Sequence, residues 1–152
     1  MSGRVLNILL VEDNPDHAEL VRRSLERLPV ASALQQVEDG ESALDYLFGA
    51  GACADRARFP VPDLVLLDLR LPRLTGLEVL QRVKRHPTLG RTPVVVLTTS
   101  DAERDVAAAH EYHANSYVTK PVDFQRLAQI IQELGFGPPA DKQQPQPEND
   151  NP

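Results

Sequence analysis

The sequence predicts an α/β domain in which a doubly wound, five-stranded parallel sheet lies between two layers of helices. Three observations lead to this prediction. Short apolar runs alternate with amphipathic stretches five times along the 152 residues. Residues 64–67 and 94–97 are continuously apolar, which is typical of strands buried on both faces of a parallel sheet. Right-handed crossovers between such strands then produce a three-layer sandwich.

The five predicted strands are short and rich in valine, leucine and isoleucine. In chain order they cover residues 7–11, 33–37, 64–68, 94–97 and 117–118. Residues 49–62, between the second helix and the third strand, form a loop that is long for a compact domain.

A helix is predicted after each strand, from apolar positions spaced three or four residues apart. The five helices begin after Asn14-Pro15, after Asp39-Gly40, after Gly76, at Asp101 and at Phe124. Pro15 suits a first helical turn, and Gly49 suits the end of the second helix. Asp101 is a candidate N-cap for a helix reaching His113, and the last helix carries apolar residues as far as Leu134.

Composition and charge exclude several classes of function. With 41% hydrophobic and 25% charged residues, the composition is typical of a globular protein. Because the net charge is −6, nucleic acid and anionic membranes are not expected partners. The single cysteine, Cys53, rules out an internal disulfide and fits a reducing compartment. No apolar stretch approaches the ~20 residues of a membrane span, so we expect a cytoplasmic protein.

The chain divides into one domain and a tail. Residues 1–137 carry all the predicted strands and helices. From residue 138 the composition shifts to proline, glutamine, asparagine and aspartate, which cannot bury enough apolar surface to fold. Residues 138–152 are therefore predicted to be a disordered tail.

Polar side chains that could bind a ligand or take part in a reaction follow the predicted strands. They are Glu12, Asp13, Asp68, Thr98 and Lys120. Ligands of open α/β sheets bind beyond the carboxyl ends of the strands, so these side chains are expected to converge there. The three carboxylates would repel one another, and a divalent cation with hard oxygen ligands, such as Mg²⁺, would relieve that repulsion.

This set of groups suits phosphoryl transfer. Carboxylates can act as nucleophiles and form aspartyl-phosphates, so Asp68 is the candidate acceptor. Such transfer depends mainly on positioning and charge neutralisation, which Mg²⁺ and the Lys120 ammonium would supply. Thr98 offers a hydroxyl donor to the phosphoryl oxygens.

Five short motifs in the same order resemble the receiver domain of bacterial response regulators. The resemblance spans about residues 7–134, and the matching stretches are Leu9-Leu10-Val11-Glu12-Asp13-Asn14, Asp63-Leu64-Val65-Leu66-Leu67-Asp68-Leu69-Arg70-Leu71-Pro72, Thr75-Gly76-Leu77-Glu78-Val79-Leu80, Pro93-Val94-Val95-Val96-Leu97-Thr98 and Tyr117-Val118-Thr119-Lys120-Pro121. The resemblance implies a flavodoxin-like, CheY-like (βα)5 fold with strand order 2-1-3-4-5. It also implies phosphorylation by a sensor histidine kinase, self-catalysed transfer to the acceptor aspartate and self-catalysed dephosphorylation, rather than turnover of a separate substrate.

The same resemblance assigns a role to each site residue. It makes Asp68 the phosphoacceptor, Lys120 the phosphate-binding lysine, and Thr98 and Tyr117 the switch pair. The implied Mg²⁺ ligands are Asp13, Asp68 and the backbone carbonyl of Arg70, with Glu12 supporting the site. Receivers commonly carry aspartate where Thr75 stands, and we expect little effect because that side chain should lie in a turn.

The long loop at residues 49–62, the run Leu97-Thr98-Thr99-Ser100 and the lack of an output domain make the chain similar to the stand-alone regulators encoded with bacterial phytochromes. The partner kinase would then be a bacterial phytochrome. Without a DNA-binding domain, output is expected through a homodimer formed by the face at about residues 101–135.

Three other functions were weighed against this one. A haloacid-dehalogenase-type phosphatase needs an acid two residues after its nucleophile, where Arg70 stands. A flavin-binding module needs a loop rich in serine, threonine or glycine after the first strand, where two acids stand. A pseudo-receiver that serves only as a docking module remains the main alternative, although all five site residues are present. The four histidines, His17, His86, His110 and His113, lack metal-ligand spacing and are predicted to be surface residues.

Overall fold

The five strands form one parallel sheet in the order β2-β1-β3-β4-β5, which confirms the predicted topology. The structure, a computed structural model, describes residues 5–28, 30–71, 74–99, 114–120 and 122–136. The strands are β1 (Leu6–Val11), β2 (Ser32–Val37), β3 (Leu64–Asp68), β4 (Val94–Thr99) and β5 (Ser116–Lys120). Each predicted strand is present, and all except β3 begin one residue earlier or extend slightly further than the apolar pattern indicated.

Four α-helices are described, and they are numbered here in chain order. They are α1 (Pro15–Glu26), α2 (Gly40–Phe48), α3 (Gly76–Arg85) and α4 (Phe124–Ile131). The last helix is shorter than predicted, because its final turns widen over Gln132–Phe136, where Gly135 has a φ of 93°. The helix predicted between Asp101 and His113, and the predicted tail at residues 138–152, lie outside the described residues.

The sheet separates two hydrophobic cores. Leu9, Val11 and alternate residues of β3 and β4 pack against α2 and α3. Ile8, Leu10 and the remaining strand residues pack against α1 and α4 on the other face. Side chains alternate between the two faces of a strand, so strands covered on both faces must be apolar throughout, as residues 64–67 are.

Two helix starts are fixed beside the carboxyl edge of the sheet. Asn14 is the N-cap of α1, and its side chain accepts hydrogen bonds from the backbone of Asp16 and His17. Thr75 is the N-cap of α3 and forms a reciprocal capping box with Glu78. Thr75 therefore does the capping work for which an aspartate would also serve, consistent with its placement in a turn.

The long loop at residues 49–62 is held by side-chain contacts. It contains a short 3-10 helix, Gly51–Ala54. The Arg56 guanidinium donates to the backbone carbonyls of Tyr46, Leu47 and Phe59 at 2.9, 2.9 and 3.1 Å. The Tyr46 hydroxyl donates to the Pro60 carbonyl at 3.0 Å. These contacts tie the loop to the end of α2, so its length does not leave it loosely attached.

Within the described segments, no helix is both long enough and apolar enough to cross a membrane.

Candidate functional site

Three predicted acidic residues converge at the carboxyl edge of the sheet. Glu12 and Asp13 directly follow β1, and Asp68 is the last residue of β3, the strand beside it. An oxygen atom from each of the three carboxylates lies within 4.8 Å of the other two. Glu12 and Asp68 are buried, with relative exposures of 0% and 4%, whereas Asp13 is exposed.

Lys120, the last residue of β5, supplies the positive charge at this site. Its Nζ donates to Oδ2 of Asp68 at 3.0 Å and forms an ion pair with Oε1 of Glu12. The lysine side chain is only 5% exposed. A buried ammonium that contacts two buried carboxylates compensates part of their charge, and the cluster keeps a net negative charge.

Glu12 is held by backbone and side-chain contacts. Its Oε2 accepts from the backbone N–H of Asn14 at 3.1 Å, and its carbonyl accepts from the side-chain amide of Gln36 at 3.2 Å. Burial raises the pKa of the Glu12 carboxyl above its usual range, and the neighbouring Asp68 charge acts in the same direction. The Lys120 ammonium opposes both effects. Electrostatically, the site favours an added positive charge.

The carboxylate of Asp68 is oriented from two sides. Oδ1 accepts from the backbone N–H of Arg70 at 2.9 Å, and Oδ2 accepts from Lys120. The start of α3 also packs closely against the end of β3, because a Cβ atom added at Gly76 would lie 2.3 Å from the carbonyl oxygen of Asp68. Only glycine allows the two backbones to approach so closely.

The donor set fits a hard divalent cation. Three carboxylates from two neighbouring strand ends offer oxygen ligands within a few ångströms, and one of them is open to solvent. Mg²⁺ and Mn²⁺ prefer such oxygen ligands and keep part of their water shell. Oε1 of Glu12 is fully buried. Among the described residues it forms an ion pair with the Lys120 ammonium and has no hydrogen-bond partner.

The predicted switch residues lie on β4, the strand next to β3, and on β5, the edge strand beyond it. The backbone of Thr98 pairs with Thr119 in the β4–β5 register, near the same edge of the sheet, and its side chain lies outside the described part of the structure. Tyr117 is 37% exposed and lies three residues before Lys120 on β5. The backbone N–H of Arg70 contacts Asp68, while the predicted role of its carbonyl remains a prediction.

One residue of the site was missed by the sequence reasoning. The prediction that His17 is a surface residue agrees with its 35% exposed side chain but missed a contact, because its Nδ1 lies 3.0 Å from Nζ of Lys120 and 3.9 Å from Oε2 of Glu12. A usable signal was present in the sequence: His17 stands two residues after Pro15, in the first turn of α1, which adjoins the end of β1. His86 lies at the end of α3, and its ring accepts from the backbone of Thr88 and Leu89.

Comparisons with known proteins agree with this architecture. The sequence matches the response regulator receiver domain over residues 8–132. The probable methanogenesis regulatory protein FilR2 of Methanothrix harundinacea is 45% identical over 130 residues, covering 84% of this chain and 79% of FilR2. Response regulator Rcp1 of Synechocystis sp. is 42% identical over 125 residues, covering 82% of this chain and 83% of Rcp1.

Solved structures give the same result. The crystal structure of the Mn²⁺-bound form of Rcp1 has a TM-score of 0.71 at 40% identity, covering 85% of this chain and 91% of that one. The phosphorylated cyanobacterial phytochrome response regulator RcpA has a TM-score of 0.74 at 40% identity, covering 86% of this chain and 91% of that one. The chain therefore belongs to the response regulator receiver domain family and is related to the phytochrome response regulators.

Proposed function

We propose that this protein accepts a phosphoryl group on Asp68 from a sensor histidine kinase, in a reaction that requires Mg²⁺, and that it signals by a conformational switch. The observation that carries the proposal is the position of Asp68. Its carboxylate is buried at a strand end, contacts Lys120 at 3.0 Å, and has two further carboxylates within 4.8 Å. Desolvating two acids beside one lysine, with a third carboxylate close by, is costly, so a functional role explains the arrangement better than a structural one.

The residues that would hold Mg²⁺ are Asp13, Asp68 and the backbone carbonyl of Arg70, with Glu12 in support. When bound, the cation would neutralise negative charge on the transferred phosphoryl group. Support for a divalent cation comes from the carboxylate geometry of this chain and from the Mn²⁺-bound form of its relative Rcp1.

Asp68 would act as the nucleophile. One of its carboxylate oxygens attacks the phosphorus of the kinase phosphohistidine, the P–N bond breaks, and the imidazole leaves with the bonding pair. Lys120 is placed to donate to a phosphoryl oxygen, and we assign a second donation to the Thr98 hydroxyl. Thr98 and Tyr117 would then move together, which shifts the population between two packings of the β4–β5 face.

We further propose that the partner kinase is a bacterial phytochrome, that the protein acts in the cytoplasm, and that output occurs through a homodimer. The kinase assignment rests on similarity to RcpA, described as a phytochrome response regulator. The dimer would use the face at about residues 101–135, of which residues 114–120 and 122–136 are described. A pseudo-receiver that only docks is less consistent with a site in which the acids and the lysine are in contact.

Phosphorylation is tested by mass spectrometry after incubation with acetyl phosphate or a phosphoramidate. Wild type should gain one phosphoryl mass in the presence of Mg²⁺ and none with EDTA. Asp68→Asn should gain none. Asp45→Asn, which alters an exposed acid of α2, is the matched control and should behave as wild type. Equal labelling of wild type and Asp68→Asn would refute the assignment of Asp68.

Switching and assembly are tested by sedimentation velocity with and without beryllofluoride, a phosphoryl mimic. We expect a dimer that is strengthened by the mimic. Lys120→Ala should accept phosphoryl slowly and lose this response, because the ammonium no longer reaches the phosphoryl group. A monomer in both states well above micromolar concentration would refute the dimer, and crosslinks in residues 49–62 would place the interface elsewhere.

A further inference from the structure

Three groups, one from each of three separate segments, contact the ammonium of Lys120. They are Oε1 of Glu12, which follows β1, Oδ2 of Asp68 on β3 at 3.0 Å, and Nδ1 of His17 on α1 at 3.0 Å. An ammonium has three N–H donors and no lone pair, so Nδ1 must accept and the ring proton must be on Nε2. The ammonium therefore donates to Asp68 and His17 and forms an ion pair with Glu12.

The position of His17 is set by its helix. Its backbone N–H donates to the Asn14 side chain at 3.2 Å, which fixes the residue in the first turn of α1. Its side chain is 35% exposed, whereas those of Glu12 and Asp68 are 0% and 5% exposed. Among these three partners of the ammonium, His17 is both the uncharged one and the one that water reaches.

We propose that His17 is a positioning residue for phosphoryl transfer, which orients the Lys120 ammonium and then releases one N–H to a phosphoryl oxygen on Asp68. This inference rests on the proposed function of the site. Before transfer, Nδ1 of His17 accepts a hydrogen bond from one N–H of the Lys120 ammonium and so fixes the rotation of the ammonium about its Cε–Nζ bond. After transfer, an anionic phosphoryl oxygen is a stronger acceptor than a neutral imidazole, and it takes over that N–H.

His17 is the partner that is exchanged, for two reasons. The two carboxylates attract the ammonium through their negative charge, an attraction that the neutral imidazole does not add to its hydrogen bond. The imidazole is also accessible to solvent, so water can satisfy Nδ1 once the lysine turns away. Neither reason applies to Glu12, which is fully buried.

A change at position 17 should therefore act on the reaction through Lys120. His17→Leu removes the acceptor and leaves the ammonium free to rotate, so phosphorylation by acetyl phosphate should slow about fivefold, which corresponds to about 1 kcal/mol of activation free energy. His17→Asn places Oδ1 close to the position of Nδ1 and should restore the rate to within about twofold of wild type. Because position 17 is partly exposed, both variants should keep the thermal midpoint of wild type.

The experiment measures phosphorylation rates with acetyl phosphate at saturating Mg²⁺ in wild type, His17→Leu, His17→Asn and Arg22→Leu, an exposed control on the same helix. The same His17→Leu change is then made in a Lys120→Met background, where we expect no further loss. A rate for His17→Leu equal to wild type would overturn the inference. So would an equal loss in His17→Asn, or a full additional loss in the Lys120→Met background, because each would show an effect that does not pass through the lysine.

These outcomes are separable from failure of the proposed function. If wild type itself takes no phosphoryl group on Asp68, the function fails and this inference falls with it. If wild type is phosphorylated on Asp68 and His17→Leu is not slowed, the function stands and only the role of His17 is refuted.

Discussion

Replacing Lys120 with methionine should destabilise the metal-free protein strongly. Lys120 is 5% exposed and is the cation in contact with the two buried carboxylates, Glu12 and Asp68. Methionine has a similar volume and no charge, so the change removes the ammonium without leaving a large cavity. Two buried like charges then remain in contact with apolar surroundings.

The expected magnitude follows from two estimates that agree. Removing one partner of a buried ion pair typically costs about 3–5 kcal/mol. The cost is limited because a buried carboxyl can take up a proton instead: for a group with an ordinary pKa, neutralisation at about pH 7 costs about 3.7 kcal/mol. We therefore expect Lys120→Met to lower the free energy of unfolding by about 3–4 kcal/mol at neutral pH.

The loss should shrink as the pH falls. Burial already raises the pKa of Glu12, so folding favours the neutral form of this carboxyl. The stability that the neutral form contributes is fully present below the pKa of the unfolded state, and it is lost as the pH rises through the pKa of the folded state. Removing Lys120 raises the pKa of Glu12 further. Between about pH 7 and about pH 5, the difference between wild type and variant should narrow by about 1.4 kcal/mol per pH unit for each carboxyl that protonates.

Urea unfolding in EDTA at the two pH values measures this difference. The double variant Asp68→Asn, Lys120→Met is the internal control, and it should recover roughly half of the loss because only one of the two buried charges remains. Millimolar Mg²⁺ should narrow the gap, because the variant site has lost one positive charge and should bind the cation more tightly than wild type. A loss below about 1 kcal/mol that is independent of pH and of Asp68 would show that the charges are not desolvated, and would refute the reasoning.

Three further changes test how the site is supported. Gly76→Ala should cost about 2–3 kcal/mol in urea unfolding, since its Cβ would lie 2.3 Å from the carbonyl of Asp68, and a wild-type midpoint would contradict this. Arg56→Lys should cost about 1–2 kcal/mol and speed proteolysis within residues 50–60, because a point charge cannot reach the three carbonyls that the guanidinium joins. Tyr46→Phe should cost about 1 kcal/mol by losing the bond to Pro60. Burial raises the pKa of Tyr46, so wild type should lose stability as pH rises through the alkaline range, and the phenylalanine variant should lose less.

Much of the fold could be predicted from the sequence, because a strand that is buried on both faces of the sheet is apolar at every position. Residues 64–67 read as a buried strand from composition alone, and the acid that ends the run marks the edge of the sheet. The convergence of Glu12, Asp13 and Asp68 followed from that edge. The topological rule for parallel sheets therefore located the site before any distance was known.

Contacts between side chains and backbone were the part that could not be predicted. Arg56 joins three carbonyls, and nothing in the surrounding residues indicates which carbonyls a guanidinium will reach. Asn115 accepts at the same oxygen from the backbone of Val94 and from Lys84, 31 residues away. His17 is separated from Lys120 by 103 residues, and their contact depends on the rotation of α1, which the Asn14 cap sets. Periodicity reports which face of an element is buried, but it does not report side-chain partners.

The separation of the interior into two cores has a consequence for protein engineering. Leu9 and Leu10 are adjacent on β1, yet they pack into different cores on opposite faces of the sheet. Substitutions whose side chains share no neighbours usually combine additively, to within about 0.5 kcal/mol. Stabilising changes found separately beneath α3 and beneath α4 should therefore be combinable without a new search. A variant stabilised only on the α2–α3 side would leave unchanged the layer that contains α1 and α4.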